Sequence, residues 1–289
     1  MLNQGQVLML KRILQFSSIT AALLFSALPA NAFGIGLQPT TVEITVEPGD
    51  TNRQVINIAN VHTEKTISLT LGLADWDLDE SGQIRLSPPG ESDVSAAGWT
   101  RFSPAFLTLK PGETEQVIVD MATPTRLDRS GDFRFALLAS TILPEERSGQ
   151  SGVWKKYQIA SLFYLTAGDA LSAPVIENSE VKADGEGGTK RLHLEIANEG
   201  NAHARLHGTV EIGNGGKKES VAIGNLVVLN NATRSYATPL PEGIEADAEI
   251  EVRLNNTFAP QSAGAAEILP PHRVPTESKQ AALPVEPTP

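Results

Sequence analysis

Apolar and polar residues alternate with a period of two through most of the chain, and no stretch after residue 32 sustains a helical period. Val42, Ile44 and Val46 alternate until "EPGD" (residues 47–50) breaks the run. Residues 55–58 resume it, and Ile67, Leu69, Leu71 and Leu73 then alternate with Thr66, Ser68, Thr70 and Gly72. A turn at "DLDESGQI" precedes Phe106, Leu107 and Leu109, and "KPGE" (residues 110–113) separates these from Val117, Val119 and Met121. Phe133, Phe135 and Leu137 mark a further strand, and residues 157–166 the last of this set. Pro presets φ and Gly accepts positive φ, so Pro-Gly pairs punctuate tight turns. About seven strands at regular spacing predict an immunoglobulin-like sandwich.

A second set of strands follows "TAGDALSAP" (residues 166–174), whose small residues mark a boundary. The alternation returns in residues 192–196, 206–212, 221–223, 226–229 and 250–254, and "GNGG" (residues 213–216) makes a hairpin turn that needs positive φ. Beyond Phe258 the chain is rich in Pro and Ala without alternation, which predicts a disordered or polyproline-like tail. The expected organisation is a leader over 1–32, a first sandwich over 33–168, a second over 169–258 and the tail over 259–289. One phrase occurs in both halves. Ile58-Ala59-Asn60 ends a strand before a polar turn, and Ile196-Ala197-Asn198 does the same. The repetition predicts one equivalent strand–turn–strand unit in each sandwich.

Composition narrows the function classes. The 289 residues carry 34 acids against 23 Lys and Arg, a net charge of −11, with no basic stripe interleaved with aromatics. Phosphate binding needs clustered cations, so nucleic acid and anionic lipid are excluded as general partners. Lys11 and Arg12, the apolar "ILQFSSITAALLFSALP" and "ANA" at residues 30–32 form a secretory signal. The apolar stretch is too short and Ser-rich for a span, so no membrane insertion is expected after cleavage. Its removal takes away two cations and no acid. The expected compartment is the periplasm. An exported chain is free to use disulfides, yet cysteine is absent, so stability rests on core burial.

Candidate chemistry is sparse. "DWDLDESG" (residues 75–82) has the spaced acids of a calcium loop, but Glu80 and Leu86 stand where that loop needs Gly and Glu. A β-turn is the better reading. His193, His203 and His207 lack a carboxylate or Cys at ligand spacing and read as structural or surface histidines. "GQSG" (residues 149–152) is not a nucleophile elbow, and no Gly-rich loop opens a helix. The sequence therefore predicts no enzyme, no metal and no cofactor.

The informative stretch is "KYQIASLFYLTAGD" (residues 156–169). Tyr157, Ile159, Ser161 and Phe163 share one face, and Ala160, Leu162 and Tyr164 the other. Two readings follow from the pattern: a strand buried on both faces, or one that pairs with a partner's strand by β-augmentation.

"SLFYLT" resembles the Leu-Phe-Tyr that precedes the domain linker in PapD-like periplasmic chaperones of pilus assembly. The turn at Leu109–Gly112 and the Ile-x-Asn strand ends of both halves match that family in order, over most of residues 34–256. The resemblance implies an all-β fold of two tandem immunoglobulin-like sandwich domains set as a boomerang. It also implies partners: incomplete subunits of a surface appendage that borrow a strand, and an outer-membrane usher. The family clamps a subunit's terminal carboxylate with a Lys before Leu-Phe-Tyr and an Arg on the first strand. Ser161 and Thr41 stand in those places here, and hydroxyls cannot supply charge-assisted bonds. The donor segment is "SGVWKKY", which offers Val153 and Trp154 beside Gly152, Lys155 and Lys156. Partner binding is thus expected at Trp154, Tyr157, Ile159, Ser161, Phe163 and Thr41, without a strong ionic anchor. The expected function is a periplasmic chaperone-like protein that stabilises appendage subunits by strand addition. The other reading is an exported structural or surface spacer built on the same sandwiches.

Overall fold

The alternating runs become strands, and Pro, Gly and Asn lie between them. The computed structural model describes residues 34–142, 156–183, 188–214, 216–244, 248–258 and 267–275. In chain order the first half contains β1 (Ile35–Gln38), β2 (Thr41–Val46), β3 (Thr51–Asn60), β4 (Ile67–Leu78), β5 (Ile84–Ser87), β6 (Thr100–Ser103), β7 (Phe106–Leu109), β8 (Thr114–Ala122), β9 (Gly131–Ile142) and β10 (Lys156–Ala167). The second half contains β11 (Pro174–Ala183), β12 (Lys190–Asn198), β13 (Ala204–Asn214), β14 (Lys217–Val228), β15 (Ala232–Pro239), β16 (Glu249–Asn256), β17 (Glu267–Ile268) and β18 (His272–Arg273). Among the described residues a 3-10 turn, Ala97–Trp99, lies between the strands.

Among the described residues four sheets result, paired into two sandwiches. In the first, a sheet of order β1-β3-β8-β6 faces a sheet of order β2-β10-β9-β4-β5, to which β7 adds beside β4. In the second, β11-β12-β15 faces β14-β13-β16-β17, with β18 also on β16. No described strand pair crosses residues 168–173. Inward positions are those the alternation marks: Ile56, Ile58, Val117, Val119 and Met121 on one sheet and Leu71, Phe135, Leu137, Phe163 and Leu165 on the other are all buried. Leu192, Leu194, Ile196, Leu206, Val210 and Val252 fill the second core. Burying each such side chain contributes about 1.5–3 kcal/mol.

The repeated phrase has one mechanical meaning in both sandwiches. Asn60 ends β3, and its side-chain amide donates to the Lys65 and Leu109 carbonyls while its Oδ1 accepts the His62 N–H. Asn198 ends β12; its amide donates to the Ala202 and Val228 carbonyls, and its Oδ1 accepts the Gly200 and Ala173 N–H groups. Each buried amide satisfies main-chain groups that leave the ladder as the chain turns, which neither Ala nor Ser can do at that reach.

Two expectations need correction. The tail does not lack structure throughout. β17 and β18 pair with β16, and Leu269 and Val274 enter the second core, two apolar side chains being enough to hold a short Pro-flanked segment against an open edge. Among the described residues the first sandwich also holds ten strands rather than about seven, because β1, β5 and β6 are each only four residues long and carry little periodicity.

Candidate protein-binding cleft

β10 has two different edges. Along its whole length one edge pairs antiparallel with β9, from Lys156 opposite Ile142 to Ala167 opposite Gly131. The other edge pairs parallel with β2, but only from Leu162 opposite Thr41 to Ala167 opposite Val46. Leu162 N–H donates across to the Thr40 carbonyl at 2.9 Å, which fixes the direction of the even-numbered main-chain groups. By alternation, the N–H and C=O of Lys156, Gln158 and Ala160 point to the same side, where β1 approaches but no described strand is paired to them. An unpaired edge of this kind is a template for an added strand.

The face of this sheet that looks toward the second sandwich is small and apolar. In register across it stand Gly72, Leu138 and Ala160, then Ala74, Ala136, Leu162 and Thr41. Leu138, Ala160 and Leu162 are partly buried and pack on a cluster that joins Trp76, Ala136 and Tyr164 of the first sandwich to Leu229 of the second. Trp76 and Tyr164 meet edge to face at 4.9 Å, and the Trp76 indole N–H donates to the Phe135 carbonyl.

The residues expected to bind a partner divide between the two faces. Phe163 is fully buried and stacks on Phe135 at 4.3 Å in the first core. Ser161 is equally buried, and its hydroxyl donates to the Pro39 carbonyl at 2.7 Å. Neither side chain is presented to a partner, which corrects the expectation for both. The reason is the register: Tyr157, Ile159, Ser161 and Phe163 all lie on the core face of β10, Tyr157 and Ile159 half-buried near its open end. Thr41 is exposed on the opposite face, beside Leu162. Ser161 and Thr41 are near neighbours in the sheet but point to opposite sides of it. Trp154, with Val153 beside it, lies outside the described residues.

Next to the cleft, a buried polar seam ties the sandwiches together. Asp132 of β9 and His203, just before β13, are both wholly buried. The His203 main-chain N–H and its Nδ1 reach Asp132 Oδ2 at 2.6 and 2.7 Å, and Thr166 donates to Asp132 Oδ1 at 2.9 Å. Asp132 N–H donates to the Asn201 carbonyl. Gly131 permits this approach: its φ is +102°, and a Cβ there would overlap the Asn201 carbonyl. The imidazole lies between the Tyr164 and Phe258 rings, at 4.4 and 4.3 Å. Its Nε2 faces Glu43 Oε1 at 3.9 Å, and Glu43 pairs with Arg205.

The charges respond accordingly. Burial alone would depress His203, but its hydrogen bond with Asp132 and the charges of Asp132 and Glu43 outweigh it and hold the imidazole above its ordinary value. The nearby His203 ring and the charge of Arg205 hold Glu43 below the usual carboxylate range, against its partial burial. Desolvation pushes the Tyr164 phenol up to about 12. Nothing in the sequence links Asp132 to His203, which lie 71 positions apart.

A second bridge comes from the turn after β4. The Glu80 carbonyl accepts the Ser235 N–H at 2.8 Å and Arg234 Nη1 at 3.0 Å. The three aspartates of "DWDLDESG" are engaged by the protein: Asp75 accepts from Gly90, Ser92 and Ser95, Asp79 caps its own turn through Ser81 and Gln83, and Asp77 approaches Arg134.

No family model matches the chain, and no curated protein is significantly similar to it in sequence. Among solved structures it is similar to fimbrial chaperones. The E. coli chaperone DraB has 13% identity and a TM-score of 0.41, with 84% of this chain and 98% of that chain covered. A chain of the CsuC–CsuE chaperone–tip adhesion subunit pre-assembly complex, from archaic chaperone–usher Csu pili of Acinetobacter baumannii, has 14% identity and a TM-score of 0.42, with 81% and 96% covered. A chain of the Salmonella enterica SafA pilin–SafB chaperone complex has 14% identity and a TM-score of 0.40, with 83% and 98% covered.

Proposed function

We propose that this protein is an exported, non-enzymatic chaperone-like factor that binds subunits of a surface appendage by accepting a strand along β10. The observation that carries the reading is the half-open edge: main-chain groups of Lys156, Gln158 and Ala160 face outward where β2 stops. Supporting it is the apolar face beside that edge, formed by Leu138, Ala160 and Leu162, which suits alternate side chains of an added strand. Main-chain pairing supplies affinity and the apolar face supplies selectivity. The ionic anchor of the family has no counterpart at Ser161 or Thr41. The periplasm is the proposed compartment, the boundary between binding units falls within residues 168–173, and an usher is the second proposed partner.

The test is co-purification from the periplasm, identified by mass spectrometry, comparing the wild type with Gln158→Pro. Proline at 158 removes an outward N–H without breaking the ladder to β9, and proline is tolerated on such edges. Loss of one co-purifying β-rich subunit in a folded variant supports strand addition. Unchanged capture rejects it in favour of a spacer or a different surface.

A further inference from the structure

The seam between the sandwiches offers an inference beyond partner binding. Both ring nitrogens of His203 face carboxylate oxygens: Nδ1 to Asp132 at 2.7 Å and Nε2 to Glu43 at 3.9 Å. A neutral imidazole has one N–H, so one of its nitrogens would turn a lone pair toward a carboxylate. The imidazolium turns an N–H toward each, donating to Asp132 and facing the Glu43 charge across 3.9 Å. With it the row reads Asp132 minus, His203 plus, Glu43 minus, Arg205 plus, an alternation that is self-compensating. The Nε2 atom is buried without a hydrogen bond, so no other acceptor satisfies it.

We propose that His203 is a proton-dependent lock that holds the two sandwiches in one arrangement, engaged when the imidazole is charged and released when it is neutral.

Every element packed on His203 contributes to this. β9 brings Asp132, with Arg134 on the same face; β2 brings Glu43; β10 brings Tyr164 and the Thr166 hydroxyl. β13 brings Arg205, whose guanidinium lies over the Tyr164 ring, and Phe258 closes the far side. Tyr164 stays neutral across the working range because burial raises it. Since His203 is held above its ordinary value of 6.5, the lock is complete below 6.5 and is lost as pH rises through the raised value. Glu43 is held below 4.5, so acid weakens the row only as pH falls through that lowered value. The other bridge, at Glu80 and Arg234, uses a main-chain carbonyl and a guanidinium and does not switch over this range. One consequence, that releasing the lock alters partner capture at β10, rests on the function proposed above.

The absence of cysteine permits a clean test. Spin labels at Thr114→Cys and Lys218→Cys, one exposed site on each sandwich, report the distance distribution between them. It is expected to be narrow at about pH 6 and broadened at about pH 9. Glu43→Gln removes one of the two facing carboxylates and should move the midpoint of broadening to lower pH by about one unit. His207→Asn, at an exposed histidine, should leave the midpoint where it is. A width constant from acid to alkaline pH, or a midpoint indifferent to Glu43→Gln, overturns the lock. Partner capture at both pH values separates the two ideas: capture that falls as the distances broaden supports the coupling. Broadening with undiminished capture overturns the coupling and leaves the lock standing. Gln158→Pro, measured at about pH 6 where the distances are narrow, reports on the strand edge alone.

Discussion

His203 Nδ1 lies 2.7 Å from Asp132 Oδ2, and that oxygen also accepts the main-chain N–H of His203 at 2.6 Å. One carboxylate oxygen thus holds both the backbone and the ring of a residue in the other sandwich, while the second oxygen is held by Thr166. Removing one member of a buried, hydrogen-bonded pair costs more than the pair contributes, since the survivor is left without a partner. Asp132→Ala is expected to lower the unfolding free energy by about 3–5 kcal/mol, read from urea denaturation. The wild-type midpoint should also fall as pH rises above 6.5, and this alkaline loss should vanish in the variant. A variant that keeps the wild-type pH profile would show that His203 does not titrate against Asp132.

Asn60 and Asn198 perform one task at equivalent turns, so truncating either should have a similar effect. Each Asn→Ala change strands the carbonyl acceptors held by the amide and the N–H groups held by Oδ1. The expected loss is about 2–3 kcal/mol at each site. Because the turns lie in separate sandwiches, the double variant should show additive losses if the protein unfolds as one unit. Two separated unfolding transitions in Asn198→Ala would show instead that the sandwiches melt independently.

Much of this architecture is legible in the chain because a sheet with one buried face writes its burial into every second residue. Leu69 and Leu71, or Leu192 and Leu194, name their own face. The repeated Ile-Ala-Asn announces two equivalent turns for the same reason, that local hydrogen bonding fixes the residue type. What escaped is what register decides. Ser161 and Thr41 become neighbours only through the parallel pairing of β10 with β2, and only that pairing shows them on opposite faces. Asp75 and Asp77 read as turn residues, yet they lie within β4: Asp75 is buried because loop N–H groups and Ser95 satisfy its oxygens. The His203 seam has no local signature at all, since its partners come from β2, β9 and β10.

The two faces of β10 predict opposite outcomes for neighbouring substitutions. Ile159 is half-buried on the core face, opposite Ala139. Ile159→Asp therefore places a carboxylate against the first core, and the expected result is a loss of folded protein rather than a selective loss of binding. Tyr157→Asp lies nearer the open end on the same face and should destabilise less. Ala160→Asp, on the cleft face, should leave the melting temperature within a few degrees of wild type and weaken capture of the partner. Thermal melts and co-purification of the three variants decide the matter: selective loss of capture with Ile159→Asp in a stable protein would invert the assignment of faces.

Salt dependence should distinguish this cleft from one with an ionic anchor. The Ser161 hydroxyl is committed to the Pro39 carbonyl, and Thr41 is neutral, so neither supplies a cation to a partner's carboxylate. Arg205 already pairs with Glu43, and Arg134 is buried between Trp76, Asp77 and Asn230. Main-chain hydrogen bonds and apolar contact then carry the affinity, and neither is screened by added ions as exposed charge pairs are. Capture of the co-purified subunit is expected to change less than about threefold between roughly 0.05 and 0.5 M salt, measured by surface binding to the purified protein. A fall of tenfold or more would reveal a charged anchor and reject main-chain pairing as the main source of affinity.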